Sequence, residues 1–212
     1  MNGRETEVKF YVNDLKRVEA RLRELGAILI QPRVLETNLR FDLPNESLRA
    51  EGHVLRLRRA DDVRLTYKGE SEMVDGIRTR EELEFTVGDF ETARRFIEAL
   101  GYVQFAVYEK FRATYKMQTS EVSKDFGSLV HIMLDELPYG DFVEIEGEGA
   151  DSIHLTATNL GLDWDAAVPA SYLELYKRLC AGRQLDPAKL TFAALKDFKP
   201  SPELLHARPA DL

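Results

Sequence analysis

The sequence predicts an α+β fold: a closed antiparallel β-barrel of eight strands with helices packed on its outside. Three observations predict it. About eight segments of strand length alternate apolar and polar residues and are rich in Val, Phe, Tyr and Thr, the residues of pleated sheets. The polar member of the alternation is a charge in nearly every case, and the charges fall in same-face pairs. Two segments have helical spacing and an apolar stripe that needs a sheet to cover it.

The elements follow in chain order. In Glu5-Thr6-Glu7-Val8-Lys9-Phe10-Tyr11-Val12 one face holds Val8, Phe10 and Val12, the other Glu5, Glu7, Lys9 and Tyr11. Asp14 caps a helix that carries Leu15, Val18, Leu22 and Leu25 at helical spacing and stops at Gly26. Strands are expected at 28–42, 53–60, 63–69 and 78–87. A second helix at 89–100 places Phe90, Ala93, Phe96, Ile97 and Leu100 on its apolar stripe and ends at Gly101. Strands at 103–117, 126–137 and 140–148 come next, then a helix at 151–160 ending at Gly161, and another at 170–180. The unit EVKFYV plus helix recurs as ELEFTV plus helix, a weak repeat that suggests two related halves. Residues 1–180 form the expected domain. Residues 181–212, with Pro187, Pro200, Pro202, Pro209 and one helix-capable segment near 186–197, read as an extension or an arm on the barrel.

Composition narrows the function. The chain has 212 residues, 44% hydrophobic and 31% charged, with a net charge of -8. That acidity disfavours nonspecific binding to nucleic acid or to an anionic membrane, though not a local basic pocket. Cys180 is the single cysteine, so an internal disulfide is excluded, and it is expected as a buried thiol on the last helix. The N-terminal residues lack an apolar leader, and no run reaches the ~18 apolar residues of a membrane span. A cytoplasmic setting is expected.

The same-face charges carry the chemistry. They are Glu5, Glu7 and Lys9; Arg56 and Arg58; Arg64, Thr66 and Lys68; Arg80, Glu82 and Glu84; Lys110 and Arg112; His131, Met133 and Asp135; Glu144, Glu146 and Glu148. One such strand alone reads as a half-buried sheet with a solvated face. In a closed barrel whose outer face is covered by helices, the charges point inward. Buried charge is costly unless paired or bound to ions. An interior with both signs suits a ligand with matching parts: carboxylates for hard divalent cations, Arg and Lys for a polyanion. A metal-bound triphosphate meets both demands.

Glu5-Thr6-Glu7-Val8-Lys9 is similar to the Glu-x-Glu-x-Lys signature of the CYTH superfamily, named for class IV adenylyl cyclases and thiamine triphosphatases. It is followed in order by Leu55-Arg56-Leu57-Arg58, Leu65-Thr66-Tyr67-Lys68-Gly69, Arg80-Glu81-Glu82-Leu83-Glu84, Glu109-Lys110-Phe111-Arg112, Leu134-Asp135-Glu136-Leu137, Gly140 to Glu146 and Ser171 to Leu175. This ordered set covers about residues 4–178 and most resembles the class IV adenylyl cyclase type. The resemblance implies an eight-stranded tunnel. It implies catalytic roles for Glu5, Glu7 and Lys9, and Mg2+ or Mn2+ at Glu5, Glu7, Asp135, Glu144 and Glu146. It places the triphosphate on Lys9, Arg56, Arg58, Lys68, Arg80, Lys110 and Arg112, with Glu82 and Glu84 lining the tunnel. Tyr172 would pack the last helix at one mouth, and His131 is left unassigned. The implied reaction is ATP to cyclic AMP and pyrophosphate. The alternatives are hydrolysis of thiamine triphosphate, inorganic triphosphate or nucleotides, and a non-catalytic polyphosphate-binding module. The implied partner is a small-molecule triphosphate; a homodimer through the outer barrel face is left open. One departure stands at Thr37-Asn38-Leu39-Arg40-Phe41-Asp42, where relatives carry an aromatic-rich Asp-x-Tyr-Phe segment. There Asn38 and Arg40 read as ligand contacts or, more simply, as loop-side polar residues.

Overall fold

The alternating segments close into one sheet in the computed structural model, which describes residues 3–119, 128–198 and 202–211. The strands are β1 (Arg4–Val12), β2 (Ile28–Asp42), β3 (Val54–Arg59), β4 (Val63–Val74), β5 (Ile77–Thr86), β6 (Val103–Thr119), β7 (Ser128–Leu137), β8 (Gly140–Gly147) and β9 (Lys189–Leu190). Around the sheet the order is β2-β3-β4-β5-β1-β8-β7-β6, and pairing of β2 with β6 closes the barrel. All eight barrel pairings are antiparallel. Closure leaves these strands no free edge.

Helices cover the outside. They are α1 (Leu15–Glu24), the short α2 (Ser47–Ala50), α3 (Phe90–Ala99), α4 (Ala150–Asn159) and α5 (Tyr172–Cys180). Asp14 caps α1 by accepting from the amides of Lys16 and Arg17. Asp89 caps α3 by accepting from the Thr92 amide at 2.7 Å. Gly26 and Gly101, which end these helices, sit at φ 77° and 95°, where a side chain would be strained. The apolar parity of β1 delivers Val8, Phe10 and Val12 to a core with Val18 and Leu22 of α1 and Ile153 and Ala157 of α4. Phe90 and Ile97 of α3 pack on Leu39, Phe41 and Leu57. A third cluster joins Leu175, Tyr176 and Leu179 of α5 to Leu190, Leu195 and Leu205 of the C-terminal segment. The repeated strand–helix units are β1–α1 and β5–α3, and their strands are neighbours in the barrel.

Four expectations are revised. Residues 186–197 form no helix: β9 pairs in parallel with Val107 and Tyr108, because tertiary pairing and burial of Leu190 outweigh local helix propensity. β4 runs on to Val74 instead of stopping at 69. The Asp75-Gly76 turn, with φ of 50° and 78°, has the left-handed geometry of a tight hairpin and carries the ladder onward. The short α2 was not foreseen. Cys180 ends α5 as expected but is only partly buried. Residues 126–127 of the expected strand at 126–137, and Pro200, lie outside the described residues.

Candidate active site in the barrel

Because β1 and β8 pair with Glu7 opposite Glu146 and Lys9 opposite Glu144, one interior wall gathers carboxylates. β5 adds Arg80 opposite Glu5 and Arg78 opposite Glu7. β3 and β4 supply Arg56, Arg58, Arg64 and Lys68, and β6 supplies Lys110 and Arg112. A cavity of about 1150 Å3 lies within this ring. Its lining brings together Glu5, Glu7, Lys9, Arg56, Arg58, Lys68, Arg80, Glu82, Glu84, Lys110, Arg112, Glu144 and Glu146, every residue the resemblance assigned to metal, triphosphate or tunnel wall except Asp135. Asp135 is fully buried just behind it.

The interior charges hold one another. Lys68 Nζ donates to both Glu5 oxygens at 2.6 and 2.7 Å and lies 3.2 Å from Glu82. Arg80 Nε donates to Glu5 at 2.9 Å. Burial opposes ionisation of Glu5, yet Lys68 and Arg80 hold its carboxyl well below the usual range. Arg112 donates to Asp135 at 2.6 Å and to Glu144 at 3.0 Å, and Lys110 donates to Asp135 at 2.9 Å. The Tyr172 hydroxyl donates to Asp135 at 2.6 Å. Its ring lies under Lys9 Nζ at 4.5 Å from the centroid. Tyr172 therefore does more than pack α5 at a mouth: it fixes the cations of that wall.

Glu146 is the exception. Among the described residues it has no cation partner. Burial, then Glu5, Glu144 and Glu82, push its carboxyl up to about 7. A carboxylate set that repels itself in this way lacks positive charge. Hard oxygen donors of this kind fit Mg2+ or Mn2+. Asp135 does not share that character, since both its oxygens are taken by Lys110, Arg112 and Tyr172. Among the described residues no three His, Cys, Asp or Glu side chains converge closely enough to enclose an ion by themselves. Ligand oxygens would have to complete the shell.

The reading of the sequence passed over Glu36, Arg78 and Tyr108, and gave Arg64 no role of its own. Glu36, buried on β2, ion-pairs with Arg58 at 3.2 Å; burial would raise its carboxyl, but Lys110, Arg112 and Arg58 hold it at about 2. Arg78 lies 3.7 Å from Glu7. Arg64 bonds Glu84 at 2.8 Å. Tyr108, buried, lines the cavity. The signal for Glu36 was present: it shares strand parity with Asn38 and Arg40. His131 takes an inward register between Lys116 and Glu146.

A family model described as the CYTH domain matches residues 3–159. The chain belongs to the CYTH family. Its barrel is a triphosphate tunnel fold, and tunnel enzymes of this family are generally dependent on divalent metal. A Methanocaldococcus jannaschii protein named "putative adenylate cyclase" is 29% identical over 174 residues, covering 81% of this chain and 97% of that protein. The crystal structure of a Vibrio parahaemolyticus protein, also named "putative adenylate cyclase", superimposes with a TM-score of 0.68 at 19% identity, covering 82% of this chain and 98% of that one. A Hippeastrum protein, described as a "putative adenylyl cyclase" with a dominant triphosphatase activity, superimposes at 0.57 with 18% identity, covering 86% and 98%. The CYTH match ends before α5, so Tyr172 acts on the tunnel from outside the matched segment. Among the described residues no helix is long and apolar enough to cross a membrane.

Proposed function

We propose that this CYTH protein is a divalent-metal-dependent enzyme that binds a triphosphate inside the barrel and cleaves its phosphate chain. The two-signed interior carries this reading: carboxylates Glu5, Glu7, Glu144 and Glu146 on β1 and β8, faced by cations on β3 to β6. Glu5, Glu7, Glu144 and Glu146 would hold Mg2+ or Mn2+, which when bound neutralises phosphate oxygens and lowers the pKa of a hydroxyl nucleophile. Lys68, Arg80, Arg56, Arg58, Lys110 and Arg112 bind phosphate oxygens and neutralise charge as it develops. Lys9, held over Tyr172, does the same from the acid wall. Asp135 keeps Lys110 and Arg112 in place as a positioning residue, and Glu82 and Glu84 set Lys68, Arg56 and Arg64.

Two reactions use this machinery. In the first, a ribose 3′-hydroxyl attacks the α-phosphorus of ATP, and pyrophosphate leaves. The motif series and the archaeal relative's name support it. In the second, water attacks the terminal phosphorus and a shorter phosphate chain leaves. One observation favours it: at the mouth beside α2 the Phe105 ring lies under the Arg49 guanidinium at 4.1 Å, so it offers no open platform for a base. The deciding experiment incubates the protein with Mg2+ or Mn2+ and ATP, thiamine triphosphate or inorganic triphosphate, with products resolved by phosphorus NMR. Cyclic AMP with pyrophosphate establishes the cyclase. Orthophosphate with a diphosphate product establishes the hydrolase. Metal-independent binding without turnover would overturn the enzyme reading in favour of a binding module.

A further inference from the structure

One row of the barrel crosses β5, β1 and β8 through Arg78, Glu7 and Glu146, each directly opposite the next. Opposite charges in such positions pair, and like charges repel. Arg78 should therefore close on Glu7. It does not close. Its Nη1 stops 3.7 Å from Glu7, and the next cation, Arg80, stops 3.5 Å away. Both distances exceed the ~2.7–2.9 Å of a charge-assisted hydrogen bond, a length that Glu5 reaches with Lys68 and Arg80.

Arg78 is held from the other side. Its Nη2 donates to the Pro169 carbonyl, just before the Ser171 cap of α5. Glu174, in the first turn of α5, faces it as well. Burial opposes ionisation of Glu174, but the Ser171 hydrogen bonds and then Arg78 and Arg178 hold its carboxyl below the usual range. These acceptors are fixed in turn. Ser171 and Glu174 form a reciprocal capping box, and the Val168 amide donates to the Lys9 carbonyl at 2.7 Å, which ties the segment before α5 to β1. The position does not suit Arg78 itself: among the described residues its buried Nε has no hydrogen-bond partner. The result is a wall on which Glu7 and Glu146, both lining the cavity, face each other without a close cation.

We propose that Arg78 is a positioning residue for this wall: the segment leading into α5 holds its guanidinium away from Glu7, which keeps the Glu7 carboxylate open to a divalent cation beside Glu146. Released from that segment, Arg78 pairs with Glu7 and competes with the ion for the same oxygens. The proposal rests on the metal reading of the acid wall and adds to it a control from beyond the CYTH match, which ends at residue 159.

The test is Mn2+ binding to the full chain, followed by electron paramagnetic resonance, alone and with inorganic triphosphate. Arg78→Gln keeps a donor for the Pro169 carbonyl and removes the charge, so Mn2+ should bind about 3- to 10-fold more tightly. Arg78→Lys keeps the charge but lacks the fork that spans carbonyl and carboxylate. Its ammonium goes to Glu7, and Mn2+ should bind about 10-fold more weakly, as when other groups behind a metal ligand are altered. Glu174→Ala removes the capping box and the second hold on Arg78. It should weaken Mn2+ binding in the wild-type background and leave it unchanged in Arg78→Gln. A purely structural Arg78 would shift its two variants in the same direction. That result, two variants with the wild-type affinity, or equal weakening by Glu174→Ala in both backgrounds overturns the proposal and leaves the metal reading standing. Should Glu174→Ala not fold, the opposite shifts of the two Arg78 variants still decide. A wild type that takes up no Mn2+ in either condition overturns both.

Discussion

Asp135, near the end of β7, and Asp141, at the start of β8, flank the same turn, but their surroundings are opposite. Asp135 accepts from Lys110, Arg112 and Tyr172, so its burial is compensated. Asp141 faces Glu136, Asp14 and Asp211 and, among the described residues, forms no ion pair; burial and these three acids raise it to about 6 from 3.8. Between those values the folded state carries a proton that the unfolded state has lost. Stability therefore falls as pH rises through that window, and the full penalty is present above pH 6. Asp141→Asn should thus raise the melting temperature by a few degrees at pH 8 and leave it almost unchanged at pH 4, an effect limited by the partial exposure of the site. Equal stabilisation at both pH values would show that packing, not charge, is responsible. The two residues also differ in legibility. Asp135 could be read from sequence because it shares a strand parity with other inward residues. Asp141 could not, since its neighbours come from β7, the start of α1 and the far C-terminal segment, which only the fold brings together. Glu36 and Arg78 were missed for a milder reason: each lies on an expected strand, but its cross-strand partner is fixed by register.

At the scale of elements, barrel strands were legible because period-two alternation needs no knowledge of the partner strand. The helices were legible from caps and stops, Asp14 to Gly26 and Asp89 to Gly101. β9 was not, because two residues gain strand character only from β6. Helix-capable spacing at 186–197 pointed the wrong way, since Leu190 and Leu195 turn toward α5 instead of defining a helical stripe. The C-terminal segment is tied in at several points. Leu190 and Leu205 are fully buried, and Asp211 accepts from the amides of Asn13 and Asp14 at 2.8 and 2.9 Å. Leu190→Ala should therefore cost ~2–5 kcal/mol, the range for emptying a core leucine site, as read from urea unfolding. A loss below ~0.5 kcal/mol, typical of surface positions, would mean that the segment rests loosely on the barrel.

For the whole molecule, the interior resembles a site already filled with itself. Most of its cations hold carboxylates: Lys68 and Arg80 hold Glu5, Arg112 holds Asp135 and Glu144, and Arg58 holds Glu36. A triphosphate can bind these cations only by competing with those carboxylates. Glu5 and Glu144, once released, are then free for a divalent cation. Anion and cation binding are therefore positively coupled, and the coupling must be reciprocal. The double substitution Glu5→Gln and Glu7→Gln separates the two halves. It removes the acids that occupy Lys68, Arg80 and Arg78, so the unliganded protein should lose ~3–5 kcal/mol of stability through unpaired buried cations. Triphosphate then regains what the carboxylates supplied. Its metal-free affinity should rise, and its stabilisation in thermal melts should exceed that of the wild type at equal concentration. The further gain that Mg2+ gives the wild type should disappear, because the released oxygens are no longer there to receive it. Measured by calorimetry with and without chelator, tighter metal-free binding together with a lost metal effect is the expected pair. Weaker metal-free binding in the variant would show that Glu5 and Glu7 orient the cations for phosphate rather than compete with it, and the coupling would then have to run through Glu144 and Glu146.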